Sequence, residues 1–545
     1  MSAQKPSKPI GKTTATYNIP NTVDEFYFWV DEGETIEPYD FVTAKSGEFS
    51  CLGVVNEISV YTDAQSHLSN RLGADIEDTV SLSRLGATVA RSTVFYGFLT
   101  DKDGNTNERR VPIPSNAEVY RSTPDEIMLG LTLNQQANAD IPAGVIRGSS
   151  GLMVPVKLDH RYLLGPESAH ANISGISGLA TKTSYMMFLL YSVAKVLPDQ
   201  YINIVFNVKQ ADLMNIDSPP DSQRDVDKKL YNAIFGEDAQ PFKNVNFLQP
   251  AGIAGNPFSF SNGKGSLYSF QLSDVYQDMD LLFADVDDTW HTVEAFSRRF
   301  AQDWDKANNQ WVLNVRKRGS QQSARTWVDL MNILDQNEED VAKTYGLRSD
   351  TVSRIRRELS RLTSSSLFPS TRAKQVFIRE IIRNANAGQT LVIDIAKLRK
   401  SEQTFVVGEV FRELENIILQ ENEMQHRKAI VVVDELNSLA PASYSNPLKE
   451  QIIEVARKGR SAGFIIFGAE QFASEVDDQI VGNSSLRAFG RTSSVESSSG
   501  AYRGLTEADK LTIMRLGKGD MLISFPTFRS NIKITFPIPP YKMPA

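Results

Sequence analysis

The chain has 545 residues, 41% hydrophobic and 23% charged, which excludes a disordered chain or one small core and points to roughly two to four globular domains. A formal net charge of -8 excludes a generally basic nucleic-acid coat, though not a local basic channel. One cysteine, Cys51, rules out an intrachain disulfide or a cysteine zinc cluster, and with no metal spacing among five histidines, no signal peptide and no membrane-length apolar run, a soluble cytoplasmic protein with no membrane partner is expected.

Met1–Lys12 is polar, contains two prolines and reads as an arm. Short β-prone runs follow: Phe26–Val30, Phe41-Val42, Leu52–Val55 and Thr93–Phe98, separated by turn residues such as Asp103-Gly104. Many short strands at close spacing predict a small β-barrel over residues 1–121, with no catalytic constellation in it. Residues 122–155 read as a linker.

An α/β core begins at about residue 156. His170–Ser184 is rich in small residues and leads into an apolar helix, Tyr185–Leu197, which Pro198 closes. Gly175, Ser177, Gly178, Leu179, Ala180, Thr181, Lys182, Thr183 and Ser184 form a candidate phosphate loop. Backbone N–H groups of such a loop hold phosphates, the lysine reaches the β/γ-phosphates, and the threonine hydroxyl ligates magnesium. The pattern departs from the usual one, because Ile176 and Thr181 stand where glycines are expected; the bland alternative is a turn feeding a helix. Tyr201–Val208 reads as a buried strand. Asn207, Lys209, Gln210 and Asp212 near its end read more readily as loop polarity than as a site.

Residues 275–370 change character. Trp290, Val293, Phe296, Phe300 and Trp304 recur at helical spacing, as do Val352, Ile355, Leu359 and Leu362, and a helical insertion is predicted. Arg354, Arg356, Arg357 and Arg361 make its last helix basic. A solvated face is the ordinary explanation, with phosphate contact as the alternative. The core resumes over 371–536, with helices Gln375–Ala387 and Phe405–Leu419 flanking the strand Thr390–Ile395.

Ile430–Val433 is then a continuous β-branched run that ends on Asp434-Glu435. Such a run suits a strand buried on both faces of a parallel sheet, and its carboxyl end is where open α/β sheets bind ligands. Two solvated acids at a strand end are the plain alternative. Leu448–Lys458 reads as a helix, Phe464–Phe467 as another buried strand, and Gln471 falls just past it. A proline-rich tail, 537–545, cannot form a core alone and is expected to lie across a neighbouring subunit.

Taken in order, PYDFV, CLGVVNEI, ISGLATKTS, TLVIDIAKL, AIVVVDELN, ARKGRSAGFIIFGAEQ and LGKGDMLISF resemble a HerA-type ATPase of the larger HerA/FtsK group of RecA-like motors, over nearly the whole chain. The resemblance implies a RecA-like ATPase core behind an N-terminal barrel, assembled as a homohexameric ring. Such a ring uses ATP and Mg2+ to move double-stranded DNA through its centre. Carried onto this sequence, Lys182 and Thr183 contact phosphate and magnesium, and Asp434 is a magnesium carboxylate. Glu435 polarises the attacking water, Gln471 senses the γ-phosphate, and Arg457 or Arg460 acts on the adjacent subunit's ATP. The variant phosphate loop is similar to those of bacterial HerA-like proteins of antiviral defence. It implies a separate effector, a nuclease or a sirtuin-like NAD-consuming enzyme. An ATP-regulated scaffold that assembles the effector without pumping DNA is the alternative, kept open by the acidic net charge. A ring with a decayed site is disfavoured by the intact Lys182, Asp434 and Glu435.

Overall fold

The computed structural model describes residues 8–62, 86–101, 104–133, 139–176, 181–261, 263–284, 292–315, 320–371, 374–420 and 427–543. Of the residues singled out above, Asp103, Ser177, Gly178, Leu179, Ala180 and Trp290 lie outside these, as does part of the arm. The chain divides into two compact units. One comprises 1–159, 229–236 and 503–537; the other comprises 160–228, 237–502 and 538–545.

The first unit contains a closed antiparallel barrel. Around it run Glu25–Val30, Gly11–Thr14, Glu118–Arg121, Phe41–Ser46, Phe49–Thr62 and Gly86–Thr100, and the last strand pairs back onto Glu25–Val30. Closure removes the open strand edges that a flat sheet would expose. Phe26, Phe28, Val42, Ala44, Val55 and Val119 fill the interior from alternate positions, as the two-residue period of a strand requires.

The described residues of 122–155, expected as a linker, include a helix and most of a β-hairpin. The helix Pro124–Gly130 opens on a capping box, in which Thr123 and Glu126 each satisfy the other's backbone N–H. Ala139–Arg147 then pairs with Met153–Asp159 and, on its other side, with Ile532–Thr535. Local propensity at Ile141-Pro142 argues against a strand. The pairing is possible because the ladder is irregular between Pro142 and Gly144.

The second unit is built on eight parallel strands. Across the sheet they run Ser266–Tyr268, Val245–Pro250, Thr390–Asp394, Ile202–Asn207, Ala429–Asp434, Phe464–Glu470, Ala169–Ser174 and Ser484–Phe489. Ile202–Asn207, Thr390–Asp394, Ala429–Asp434 and Phe464–Glu470 are buried at every position, which explains the apolar runs 204–206, 391–393, 429–433 and 464–467 within them. The chain starts at Ala169–Ser174, crosses two neighbours to Ile202–Asn207, and later fills the gap. All eight carboxyl ends therefore face one edge, and the reversal of strand order opens a crevice there.

The helix predicted over Gln375–Ala387 is confined to Ile378–Arg383, because Val376 bridges to Tyr268 and takes the preceding residues to the sheet edge. The segment expected as a helical insertion carries the helices Thr292–Gln302, Trp327–Gln336, Glu338–Tyr345 and Ser349–Thr363, together with a three-stranded antiparallel sheet. Trp304 opens that sheet and stacks on Tyr276 at 4.5 Å, so it does not extend the helical stripe. Val352, Ile355, Leu359 and Leu362 do form one buried face. Opposite them Arg356 pairs with Asp335 and Arg361 with Glu358 at 3.0 Å, while Arg354 and Arg357 are exposed.

The tail lies on its own chain. The Ile538 N–H donates to Asp227 at 3.1 Å, Lys542 pairs with Asp221 at 2.8 Å, and Tyr541 is buried against Phe242. Among the described residues no helix is long and apolar enough to cross a membrane.

Two buried polar features matter for stability. The helix Lys400–Glu415 turns Glu409 and Glu413 fully inward. Arg379 meets Glu409 at 2.8 Å and also Asp278; Arg383 meets Glu413 at 2.8 Å; Arg412 meets Asp278 at 2.6 Å and also Asp280. The second feature is His170, near the amino end of Ala169–Ser174, whose Nδ1 accepts the Ile466 N–H at 3.0 Å. Burial lowers its pKa to about 4, against the Ala456 backbone, which raises it. The folded chain thus keeps His170 neutral where the unfolded chain would take up a proton. Its contribution is present above the unfolded value near 6.5 and is lost as pH falls towards 4, a swing on the order of 3 kcal/mol. Urea unfolding of wild type should therefore weaken across that window more steeply than that of His170→Gln. Parallel pH profiles would exclude His170 as the cause.

Candidate nucleotide-hydrolysis site

The site forms at the carboxyl edge of the parallel sheet. Ser174 ends one strand, and two backbone bonds extend its pairing: Gly490 N–H to the Ser174 carbonyl at 2.7 Å, and Ile176 N–H to the Arg491 carbonyl at 2.8 Å. Gly175 donates to the Glu470 carbonyl at 3.2 Å, and a Cβ there would sit 3.3 Å from the Gly490 backbone. A side chain at 175 would need the Gly490 backbone to give way by a few tenths of an ångström. The helix Thr181–Val196 follows, with Thr181, Lys182 and Ser184 buried in its first turn. The amino end of an α-helix carries N–H groups with no partner inside the helix and the positive end of the helix dipole.

The Thr183 hydroxyl donates to Asp434 Oδ2 at 3.0 Å, bringing together residues 251 positions apart. Asp434 Oδ1 accepts the N–H of Glu435 at 2.9 Å. Glu435 itself has φ 61°, a left-handed backbone uncommon outside glycine, so the chain turns sharply just after the strand. Lys209 lies between the two carboxylates, 2.9 Å from Glu435 and 3.5 Å from Asp434. Burial opposes its charge, but Asp434 and Glu435 prevail and raise its pKa. Asn207 turns away and braces the scaffold, donating to Asp394 at 2.8 Å.

Lys182 is the most telling side chain. Its Nζ is buried and has no hydrogen-bond partner among the described residues. Burial lowers its pKa, with Asp434 working the other way. Beneath it lies Glu470, at the end of the one strand that separates Ala169–Ser174 from Ala429–Asp434. Burial pushes the Glu470 carboxyl up to about 8; Asn172, Lys182 and Arg487 pull it down. Asn172 is close enough to favour the ionised form, yet neither Glu470 oxygen reaches hydrogen-bond geometry with a described residue. Burial thus favours the protonated form of Glu470, and Lys182 Nζ, though it feels the Asp434 charge, has no hydrogen bond from a described residue. A buried cation with no partner fits an incoming anion.

Gln471 starts the turn after the strand Phe464–Glu470 and is half-buried. Arg457 and Arg460 are not brought to this edge. They sit exposed in the last turns of the helix Pro447–Ala462, which Gly463 joins to the amino end of that strand. Arg460 donates to the Glu167 carbonyl at 3.3 Å. Both therefore lie towards the opposite edge of the sheet from Lys182. Lys209 and Glu470 were missed from sequence as site residues. Glu470 had a signal, a carboxylate closing the apolar run FIIFGA; Lys209 had none beyond its place after a strand. Among the described residues no group of three or more His, Cys, Asp or Glu could hold a metal alone, and Thr183 with Asp434 suits an ion shared with substrate phosphates.

No protein-family model matches the chain, and no curated protein does. Several solved structures are similar at low identity. The plasmid coupling protein TrwB in complex with ADP and Mg2+ is 15% identical, with 71% of this chain and 88% of that chain covered and a TM-score of 0.45. TrwB with a non-hydrolysable ATP analogue gives 14%, 69%, 87% and 0.44. VirB4 of Thermoanaerobacter pseudethanolicus gives 16%, 73%, 96% and 0.43.

Proposed function

We propose that the chain is a magnesium-dependent ATP hydrolase of the HerA/FtsK kind, a RecA-like core with a helical insertion, working as a homohexameric ring on double-stranded DNA. The observation that carries this is the buried, unpartnered Lys182 ammonium beside the Thr183–Asp434 pair and the Lys209-held Glu435, at the edge where a parallel sheet binds ligands. Magnesium, when bound, neutralises phosphate charge. Lys182 binds the β/γ-phosphates, and the helix amino end with the loop 175–184 cradles them. Thr183 and Asp434 hold the ion's side of the site. Glu435 orients the attacking water and takes its proton, with Lys209 fixing the carboxylate. Gln471 reads the γ-phosphate. Phosphoryl transfer needs such placed charge more than covalent help.

Arg457 or Arg460, both of which stand away from their own subunit's Lys182, serves a neighbour's ATP. Hydrolysis then requires assembly. The phosphate-loop variant supports a place in a two-component defence complex, with a separate nuclease or NAD-consuming effector docking on the barrel. A scaffold that uses ATP without pumping DNA remains the second reading, favoured by the net charge of -8. The test is ATP turnover by the purified chain with and without linear duplex DNA. Several-fold stimulation by DNA is expected. Turnover indifferent to DNA refutes the motor and leaves the scaffold; full turnover by verified monomers refutes the shared site.

A further inference from the structure

The same carboxyl edge carries a second feature, away from Lys182. After the strand Val245–Pro250 the chain makes an exposed excursion that shows Ile253, Phe258 and Phe260 to solvent at 84%, 42% and 53%. This excursion is tied down. Gly252 N–H donates to the Asn256 carbonyl at 2.7 Å and Phe258 N–H to Pro250 at 2.8 Å. The Ser366 hydroxyl holds the Ala251 carbonyl at 2.7 Å, and the Ser259 hydroxyl is bonded to the buried Asp394. Ala254, at the tip, has φ 56° and ψ 31°, a left-handed conformation that alanine adopts only under constraint. Two phenyl rings held outward on a braced, strained loop are not explained by packing of the fold.

Beside them runs the turn after the adjacent strand Thr390–Asp394. It exposes Lys397, Arg399 and Lys400. Lys397 Nζ lies 4.9 Å from the Phe260 ring centre and 5.9 Å from that of Phe258. Arg399 donates to the Arg361 carbonyl at 3.0 Å, which joins this turn to the basic helix Ser349–Thr363. The nearby acids face inward: Asp394 and Glu402 are buried. Flat aromatic faces interleaved with outward cations match the alternation of bases and phosphates in an unpaired strand.

We propose that Phe258 and Phe260, with Lys397, Arg399 and Lys400, form a binding surface for single-stranded nucleic acid, the rings stacking on bases and the cations meeting phosphates. This deepens the DNA-motor reading and rests on it, since it says that the substrate presents unpaired bases at the ATP-binding edge. Stacking needs exposed base faces, so intact duplex gains little from the rings.

The test is fluorescence anisotropy with the full-length chain, a labelled thymine 30-mer and a 30-base-pair duplex, across a salt series. Phe258→Ala/Phe260→Ala should weaken 30-mer binding about 10- to 100-fold and duplex binding less than about threefold. Lys397→Ala/Arg399→Ala/Lys400→Ala should weaken both and flatten the salt dependence by up to about two counterions. Unchanged 30-mer affinity in the phenyl variant overturns the proposal, as does an equal loss on both probes. A changed oligomeric state with unchanged affinity overturns it too, and assigns the loop to contact between copies. Wild type that binds neither probe while hydrolysing ATP refutes the DNA-motor reading itself, a different failure from that of the loop.

Discussion

Glu435→Gln should slow ATP turnover about 1,000-fold, the usual scale for loss of a positioned general base, while leaving nucleotide binding intact. Glutamine keeps the size and one acceptor oxygen of the side chain but cannot take the water's proton. The contact at 2.9 Å that fixes Glu435 comes from Lys209. Lys209→Met should therefore lower turnover by a smaller factor, about 10-fold, through misplacement of the carboxylate, and its effect should nearly vanish when Glu435 is already glutamine. Binding of a non-hydrolysable ATP analogue, followed alongside turnover, separates loss of chemistry from loss of the site. Glu435→Gln with wild-type turnover in the presence of DNA would remove Glu435 from the role of base.

Arg379→Met should destabilise the second unit by about 3–5 kcal/mol, the penalty for stranding buried charge. Arg379 is the shared partner of Asp278 and Glu409, and Glu409 is fully buried, with one carboxylate oxygen already lacking a hydrogen bond to a described residue. Taking away the guanidinium leaves Glu409 to be neutralised by a proton, and burial already raises its pKa well above the ordinary range. Trp304, Trp311 and Trp327 lie in the same hydrophobic core, so urea unfolding followed by tryptophan fluorescence reads this unit. The double variant Arg379→Met/Glu409→Leu should recover much of the loss, since a buried pair is often replaceable by apolar side chains of similar volume. An unchanged midpoint in the single variant would show that the network is relaxed by water.

The parts of this fold that could be read from sequence are those where one residue's environment is set by its immediate neighbours. Ile430–Val433 and Leu391–Ile393 announce two-sided burial because no polar residue interrupts them. Asp434 is legible as the carboxylate that ends such a run, and Lys182 and Thr183 as residue types at the start of an apolar helix. Lys209 is not, because its meeting with Glu435 depends on Ile202–Asn207 lying next to Ala429–Asp434, a fact of strand order that no local pattern carries. Glu470 is hidden for the same reason: only the insertion of Phe464–Glu470 between two other strands puts it under Lys182. Gln375–Phe377 reads as helix on propensity, yet the tertiary bridge from Val376 to Tyr268 overrides it. Residues 122–155 read as linker because the partner of their hairpin, Ile532–Thr535, is nearly four hundred positions away.

The left-handed backbone at Glu435 sets heat resistance against turnover at a single torsion. A non-glycine residue held at φ 61° carries a penalty of about 1–2 kcal/mol that glycine would escape. A lineage selected only to survive heating would drift towards glycine at this position and would discard the proposed base in the same substitution. Laboratory evolution for thermostability should therefore be run with a turnover screen in place, because a stabilising change at this position would also remove the proposed base.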